Sequence, residues 1–201
     1  KPRVFAGLLL AVVALVVVAG GAAAIVQIQK QRSAAEIAAQ RVENDQRRAE
    51  SLVKALLNAP AAGVPFAIDS LAPLQAHAVD RLRDIQQDTT GSDRQRLHAA
   101  LALAEFDRAD VEFLAQSITT AHPDECSNIV RALSSHQGDA LSIVTRLGDE
   151  AQSSSPPDLR QRARLAVVAL HLGDEALCLK MTGSRRDPQQ RTIFIDEAAR
   201  W

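Results

Sequence analysis

The densest group of chemically capable side chains in the sequence is the run His122-Pro-Asp-Glu-Cys126. Imidazole and thiolate groups bind zinc, and a spacing of four residues places two side chains on one face of a helix. Proline, however, is favoured at the first position of a helix, so we expect Pro123 to begin a helix and His122 to lie outside it. We therefore interpret this run as the start of a helix rather than as a metal site.

Two Gly-Asp-Glu runs, Gly148–Glu150 and Gly173–Glu175, have the composition of a paired acidic site. Each follows an apolar helical pattern, so we expect the glycine to end that helix and the aspartate to cap the next one. The histidines show neither an HExxH motif nor the Cys/His spacing of a zinc site: His77, His98, His122, His136 and His171. No glycine-rich phosphate-binding loop follows a strand pattern. The sequence therefore predicts no catalytic, cofactor-binding or metal-binding residues.

The charge and aromatic content of the chain argue against nucleic-acid binding. The net charge is −1, the isoelectric point is near 6.6, and aromatic residues make up 3% of the sequence with no tyrosine. Such a chain lacks both a basic surface for phosphates and rings on which bases stack. Two cysteines, Cys126 and Cys178, are too few for a disulfide scaffold, and we expect both to be buried free thiols. We interpret the arginine pairs as solvated helix faces: Arg47-Arg48, Arg81/Arg83 and Arg185-Arg186.

A long apolar run, Val4 to Ile28, has the length of a membrane span. As a helix it would extend roughly 35 Å, against about 30 Å for the hydrocarbon core of a bilayer. We therefore predict a single transmembrane helix, with residues 1–28 as basic flank and span. A cleaved secretory leader, with small residues for cleavage at Ala22–Ala24, is the alternative. The flanking basic residues are Lys1, Arg3, Lys30 and Arg32.

The rest of the chain has the pattern of a helical stalk followed by a domain of short helices. Residues 29–59 contain no glycine or proline and favour a continuous juxtamembrane helix. Residues 60–201 alternate apolar helical segments with turn signals and show no convincing strand, so we predict an all-α fold with its clearest break at 151–158. The predicted helices are Val64–Leu71, Leu74–Ile85, Asp93–Phe106, Val111–Thr120, Pro123–Leu133, Ala140–Leu147, Leu159–Leu172, Glu175–Met181 and Arg191–Ala199.

The sequence of the helical domain is repetitive. The run Arg-Gln-Arg that begins at Arg94 recurs at Arg160, and a partial third copy begins near Leu177. Helical units that recur in this way bury their apolar faces by stacking, which favours a short HEAT-like α-solenoid. Other positions recur at a constant, slightly shorter offset: Leu52 with Leu114, Leu56 with Ile118, Ile68 with Val130, Leu71 with Leu133 and Gln75 with Gln137.

The order of these features resembles one region of large planctomycete-type membrane proteins. The resemblance lies in the apolar span, the segments RRAESLVKALLNA, VPFAIDSLAPL and RQRLHAALALAEFD, and the final DPQQRTIFIDEAARW. In that family a serine/threonine kinase domain precedes the span, and helical repeats follow it, often before a domain like formylglycine-generating enzyme. The resemblance implies that this chain is a piece of a longer polypeptide. No catalytic residue carries over, because the chain has no kinase glycine-rich loop, His-Arg-Asp or Asp-Phe-Gly motif.

We therefore predict a non-catalytic, membrane-anchored helical-repeat segment that is a spacer or a protein-binding module. One alternative is that the chain belongs to an enzyme, a kinase or a formylglycine-generating type, whose catalytic domain lies elsewhere. Another is a secreted helical domain. The resemblance implies that the repeats lie outside the cytoplasm, since a kinase needs cytosolic ATP. Basic residues after the span favour the opposite side: Lys30, Arg32, Arg41, Arg47 and Arg48.

Overall fold

The structure, a computed structural model, describes residues 35–153, 158–183 and 188–200. The chain divides into two compact units, Lys1–Arg47 and Arg48–Trp201. In the first unit the described residues 35–47 are helical, and Arg47 pairs with Glu43 one turn earlier, with 2.6 Å between Nη2 and Oε1. The second unit is built of α-helices and two short 3₁₀ helices, with no strand among its described residues.

The second unit begins with the helical residues 48–57, named α1. Its 3₁₀ helices, Ala61–Gly63 and Ala72–Leu74, flank α2. The later helices follow in chain order: α2 (Val64–Leu71), α3 (Gln75–Gln87), α4 (Asp93–Glu105), α5 (Val111–Ser117), α6 (Pro123–Ser134), α7 (Gln137–Ser153), α8 (Leu159–His171), α9 (Ala176–Thr182) and α10 (Gln189–Ala198). The all-α prediction is confirmed for the described residues.

The prediction of a transmembrane fold is corrected. Among the residues that the structure describes, no helix combines the length and the apolar character needed to cross a bilayer. The predicted span at 4–28 lies outside those residues. The fold class with one transmembrane helix is therefore wrong for the described part of the chain, and so is the localisation as a single-pass membrane protein with its repeats on the non-cytoplasmic side. Helices such as Gln75–Gln87 and Pro123–Ser134 bury one apolar face and expose a polar one, which is the pattern of packed helices in a domain.

Local signals explain several helix ends. Asp110 Oδ1 accepts a hydrogen bond from the Phe113 amide at 3.0 Å and caps α5, as its position predicts. Gly173, with φ of 88°, ends α8, and Asp174 Oδ1 accepts from the Ala176 amide at 2.8 Å at the start of α9. The interpretation of the second Gly-Asp-Glu run as helix end and cap is thus confirmed.

The first Gly-Asp-Glu run behaves differently, and the prediction that Gly148 ends a helix is wrong. Helix α7 continues through Gly148 to Ser153. A Cβ at Gly148 would lie 3.2 Å from two side-chain carbons of Leu177, so the glycine allows α9 to approach α7 closely. Helix α7 therefore also covers the first part of the predicted 151–158 break, of which residues 154–157 lie outside the described residues.

Helices α4 and α8 are central, because both are buried on nearly all sides. Residues 97–103 of α4 are all buried over two turns, and Leu101 is 3% exposed. In α8 the five residues 165–169 are buried, and Val167 is 2% exposed. Both residues are core positions. Helix α4 packs against α2, α3, α5 and α6, and helix α8 packs against α7, α9 and α10.

This arrangement is consistent with the helical repeat in the sequence. The Arg-Gln-Arg run lies in the first turn of α4 and recurs in the first turn of α8. Helices α3 and α7 begin at Gln75 and Gln137, two positions that align in the repeat, and each packs beside the central helix that follows it. The domain boundaries predicted at residues 28 and 59 stay a prediction.

Candidate functional site

The histidine-to-cysteine run is the start of helix α6, as predicted, and it also borders the main cleft of the second unit. Pro123 is the first residue of α6, and the Nδ1 atom of His122 accepts a hydrogen bond from the Asp124 amide at 3.4 Å. Cys126 is 1% exposed, and its Sγ lies 3.7 Å from the carbonyl oxygen of His122. The sulfur and the imidazole of this run therefore do not form a ligand pair.

The cleft lies between the first turn of α4, the turn joining α5 to α6, and the segment before α2. Its volume is about 890 Å³. Leu97, Phe113 and Pro60 contribute apolar surface, and Gln116 and Thr120 contribute polar groups. Ten of the fifteen lining residues have polar or charged side chains, and the volume of the cleft is within the range of ligand-binding sites in proteins.

Two arginines of α4 form one wall of the cleft. The guanidinium carbon of Arg96 lies 5.1 Å from the centre of the Phe113 ring, and its Nε donates to the Gln86 carbonyl oxygen at 3.1 Å. Arg94 donates from Nη2 to the Ala59 carbonyl oxygen at 3.1 Å and from Nε to Glu125 Oε1 at 3.2 Å. The cation–π contact and these hydrogen bonds fix both side chains at the edge of the cleft.

Glu125, in the first turn of α6, is a buried carboxylate at the base of the cleft. Its side chain is 4% exposed, and its Oε1 lies 3.0 Å from Nε2 of the fully buried His98. Burial raises the pKa of Glu125. The hydrogen bond and charge of His98, followed by Arg94 and Asn128, outweigh burial and hold that pKa below its usual value of 4.5. The Glu125 carboxyl group is therefore ionised at neutral pH.

The fold contains a second buried carboxylate with the same kind of partners. Glu197 of α10 is 2% exposed, and its Oε2 lies 3.0 Å from Nε of Arg164. Arg160 and Arg200 approach Oε1 at 3.5 and 3.3 Å. Arg160 and Arg164 are the second and sixth residues of α8. Arg94 and His98 are the second and sixth residues of α4.

The two carboxylate clusters are Glu125 with Arg94 and His98, and Glu197 with Arg160 and Arg164. In both clusters the cations also bind backbone carbonyl oxygens at or just after the end of another helix. Arg164 Nη1 donates to the carbonyl oxygens of Thr119 and Ala121 after α5, at 3.3 and 3.2 Å. His98 and Arg94 bind the carbonyl oxygens of Leu56 and Ala59 at and after the end of α1. The last carbonyls of a helix lack partners within that helix, so a cation satisfies them and complements the helix dipole. Through these cations, α4 connects the end of α1 to Glu125, and α8 connects the end of α5 to Glu197.

The two thiols are not activated for chemistry. Burial raises the pKa of Cys126 to about 11, with Arg164 lowering it and the charges of Glu197, Glu125 and Asp124 raising it further. The pKa of Cys178 is also raised, mainly by burial, and its Sγ donates to the Ala166 carbonyl oxygen at 3.1 Å. A thiol must ionise to act as a nucleophile or metal ligand, so both residues act as packed core groups. The prediction of buried free cysteines is confirmed.

Comparison with known protein families, with curated proteins and with solved structures finds no match to this chain. The resemblance to planctomycete-type kinase proteins therefore stays a prediction. Across residues 35–153, 158–183 and 188–200, no group of three or more histidine, cysteine, aspartate or glutamate residues is placed to hold a metal ion. What the cleft offers chemically is a mixed lining, in which apolar surface from Pro60, Leu97 and Phe113 lies beside hydrogen-bond donors and acceptors.

Sequence reasoning missed both carboxylate clusters. Glu125 is the third residue of α6 and Glu197 is the ninth of α10, so neither offset of the sequence repeat aligns one with the other. The sequence did contain one signal of these clusters, the recurring Arg-Gln-Arg run. The first arginine of each copy contacts the buried carboxylate of its cluster.

The lowered pKa of Glu125 predicts a loss of stability in acid. Because its folded pKa is below the unfolded value of 4.5, ionised Glu125 stabilises the fold above pH 4.5, and this contribution is lost as the pH falls through the folded pKa. We expect the difference in free energy of unfolding between wild type and Glu125→Gln to shrink between pH 5 and pH 3. Urea titrations at each pH measure it. The matched control is Glu50→Gln, which removes a carboxylate from the exposed face of α1.

Proposed function

We propose that this chain is a non-catalytic helical-repeat module that binds a peptide segment of a protein partner in the cleft beside α4. The observation that carries the proposal is the cleft itself, which has a volume of about 890 Å³ and includes Leu97 and Phe113 in its lining. Stacked helical units present extended surfaces of this kind to partners. A spacer without a partner would not require a cleft with fixed polar groups at its edge.

The lining of the cleft favours an uncharged segment with an apolar side chain. The cations Arg94 and Arg96 are balanced by the carboxylates of Asp93, Asp124 and Glu125, so no strong field of one sign is present. Such a lining disfavours polyanions, which need a surplus of cations. An apolar anchor surrounded by hydrogen-bonding groups is the usual composition of a peptide site.

The electrostatics of the cleft support binding rather than catalysis. Arg94 and Glu125 pair with each other, and Arg96 is held by Phe113 and Gln86. The neighbouring thiol of Cys126 has a pKa of about 11. A general base or nucleophile has to be available to a substrate, whereas these groups are engaged in holding the wall of the cleft.

Peptide display on the full chain tests this proposal. A random peptide library is selected on the wild-type chain, and the enriched peptides are measured by calorimetry against two variants. Thr120→Arg places a long side chain in the cleft from an exposed turn position, and Ser142→Arg makes the same change on the exposed face of α7.

We expect Thr120→Arg to weaken binding by about tenfold or more, because the new side chain occupies the space of the peptide. Ser142→Arg should bind like wild type. The proposal is contradicted if no peptide is enriched, or if the enriched peptides bind Thr120→Arg as tightly as they bind Ser142→Arg.

A further inference from the structure

A second, smaller depression adjoins the cleft. Its volume is about 460 Å³, and it is lined by the segment before α2, the first two turns of α6 and Arg200 after α10. Three residues, Pro60, Ala61 and Asp124, line both cavities. The cleft and the second depression are therefore parts of one continuous groove, which leads from Phe113 past Ala61 to Arg200.

The backbone between the two cavities is held by side chains from two helices. Arg94 Nη2 of α4 donates to the Ala59 carbonyl oxygen at 3.1 Å, and Asn128 Nδ2 of α6 donates to the Ala61 carbonyl oxygen at 2.9 Å. Ala61 itself is buried. A binding surface that is already fixed in the free protein costs less to order when a partner binds. The junction of the groove is therefore preformed.

The second depression differs from the cleft in having no large apolar side chain. Its apolar lining consists of Pro60, Ala61, Ala62 and Pro123. The cleft, by contrast, has Leu97 and Phe113 in its lining. Because the gain from the hydrophobic effect grows with the apolar area removed from water, a large apolar side chain of a ligand is better placed in the cleft. The second depression suits small side chains and backbone.

The polar groups of the second depression suit a peptide backbone. The Ser127 hydroxyl, which can donate and accept, forms no hydrogen bond with the residues that the structure describes. Arg200 donates from Nη1 to Glu197 at 3.3 Å, and its side chain is 48% exposed. The carboxylate of Asp124 pairs with His122 at 3.3 Å. Paired charges beside an unused hydroxyl match main-chain N–H and C=O groups, which every peptide carries.

We propose that the partner is an extended segment that occupies both cavities, with an apolar anchor residue in the cleft and a flanking stretch in the second depression. This binding mode rests on the proposed function, because it gives the length and chemistry of the segment that the cleft would bind. An extended chain offers its backbone groups to a binding site, whereas a helix uses them internally. The flank is therefore recognised through its backbone, and its side chains contribute little.

Shortened peptides and a variant of α6 test this binding mode on the full chain. Random peptides of about 12 residues, which span roughly 40 Å when extended, are selected on the wild type. The enriched peptides are then shortened from each end, outside the apolar anchor, and calorimetry measures Kd. Ser127→Arg places a long side chain in the second depression. Its matched control is Ser134→Arg, two turns later on the exposed face of α6 and outside the linings of both cavities.

We expect removal of the flank from one end to weaken binding to the wild type about tenfold or more. Ser127→Arg should weaken binding of the full-length peptide by a similar factor. The shortened peptide should bind Ser127→Arg and the wild type equally, because it does not reach the second depression. Alanine at the flanking positions should change Kd by less than about threefold, since the backbone makes the contacts. Ser134→Arg should bind both peptides like the wild type.

The extended binding mode is overturned if Ser127→Arg binds the full-length peptide as tightly as Ser134→Arg does, or if both ends can be shortened without loss. A large effect of alanine in the flank also overturns it. In each of these cases, weaker binding to Thr120→Arg leaves the proposed function in place. If no peptide is enriched, or if Thr120→Arg has no effect, the proposed function fails and the extended mode with it.

A second variant covers the case in which Ser127→Arg does not fold. Ala62→Arg introduces the same side chain from the 3₁₀ helix Ala61–Gly63, where Ala62 is exposed and lines the second depression. We expect it to weaken the full-length peptide about tenfold or more and to leave the shortened peptide unaffected. Equal binding of the full-length peptide by Ala62→Arg and the wild type overturns the extended mode.

Discussion

Leu101→Asp is expected to unfold the second unit at neutral pH. Leu101 lies in the centre of α4, is 3% exposed and is surrounded by buried neighbours on the same helix. An ionised carboxylate at this position would lie within the cluster of buried apolar side chains, so the cost is at the upper end for single substitutions, about 4–5 kcal/mol or more. Typical domains are stable by only about 5–15 kcal/mol. The helical signal in circular dichroism and the urea midpoint measure this loss.

The matched control for this change is Gln95→Asp. Gln95 lies in the first turn of the same helix and is partly exposed, so the new carboxylate stays in contact with water and faces the positive end of the helix dipole. We expect its free energy of unfolding to stay within about 0.5 kcal/mol of wild type. If both variants are destabilised equally, helix α4 is not the buried centre that the structure shows.

Glu197→Ala is expected to have the second-largest effect, through the charge that it leaves behind. Arg164, whose side chain is 15% exposed, loses the carboxylate that lies 3.0 Å from its Nε. Removing one partner of a buried ion pair costs about 3–5 kcal/mol, because the remaining charge stays buried without its partner. Arg160 and Arg200 are 67% and 48% exposed and add little, since water screens them. The urea midpoint should fall, and α10 should become sensitive to proteolysis before the rest of the unit.

An exposed ion pair provides the comparison. Glu150 of α7 pairs with Arg146 at 2.9 Å, and its side chain is 58% exposed. Glu150→Ala should cost less than about 1 kcal/mol. The double variant Glu197→Ala with Arg164→Met should recover part of the loss, because it removes the unpaired charge as well. No recovery in the double variant would show that Glu197 acts through packing rather than through its charge.

Local signals in the sequence determined the helices and several of their ends. Pro123 fixes the start of α6 and Asp110 caps α5 through a bond to an amide three residues away. Gly173 adopts the positive φ that ends α8. Each of these effects acts within one helical turn, so the order of residues contains it completely. The same holds for the core positions Leu101 and Val167, which lie within apolar stretches of α4 and α8.

Only the tertiary structure decided the features that join distant residues. The sequence predicts that Gly148 ends a helix, but its role is to admit Leu177, which belongs to a different helix, α9. The pairs His98–Glu125 and Arg164–Glu197 are separated by 27 and 33 residues. Their carboxylates occupy different turns of their helices, so the periodicity of the sequence does not align them.

The cleft is likewise a product of packing, since its walls come from the segment before α2, from α4 and from the turn between α5 and α6. Helix propensity and capping depend on neighbours within four residues, and the sequence by itself therefore determined an all-α fold. Which charges meet, and where a partner could bind, depends on how those helices stack. Stacking is set by side-chain shape across contacts between residues far apart in the chain, and for that reason the tertiary structure alone decided it.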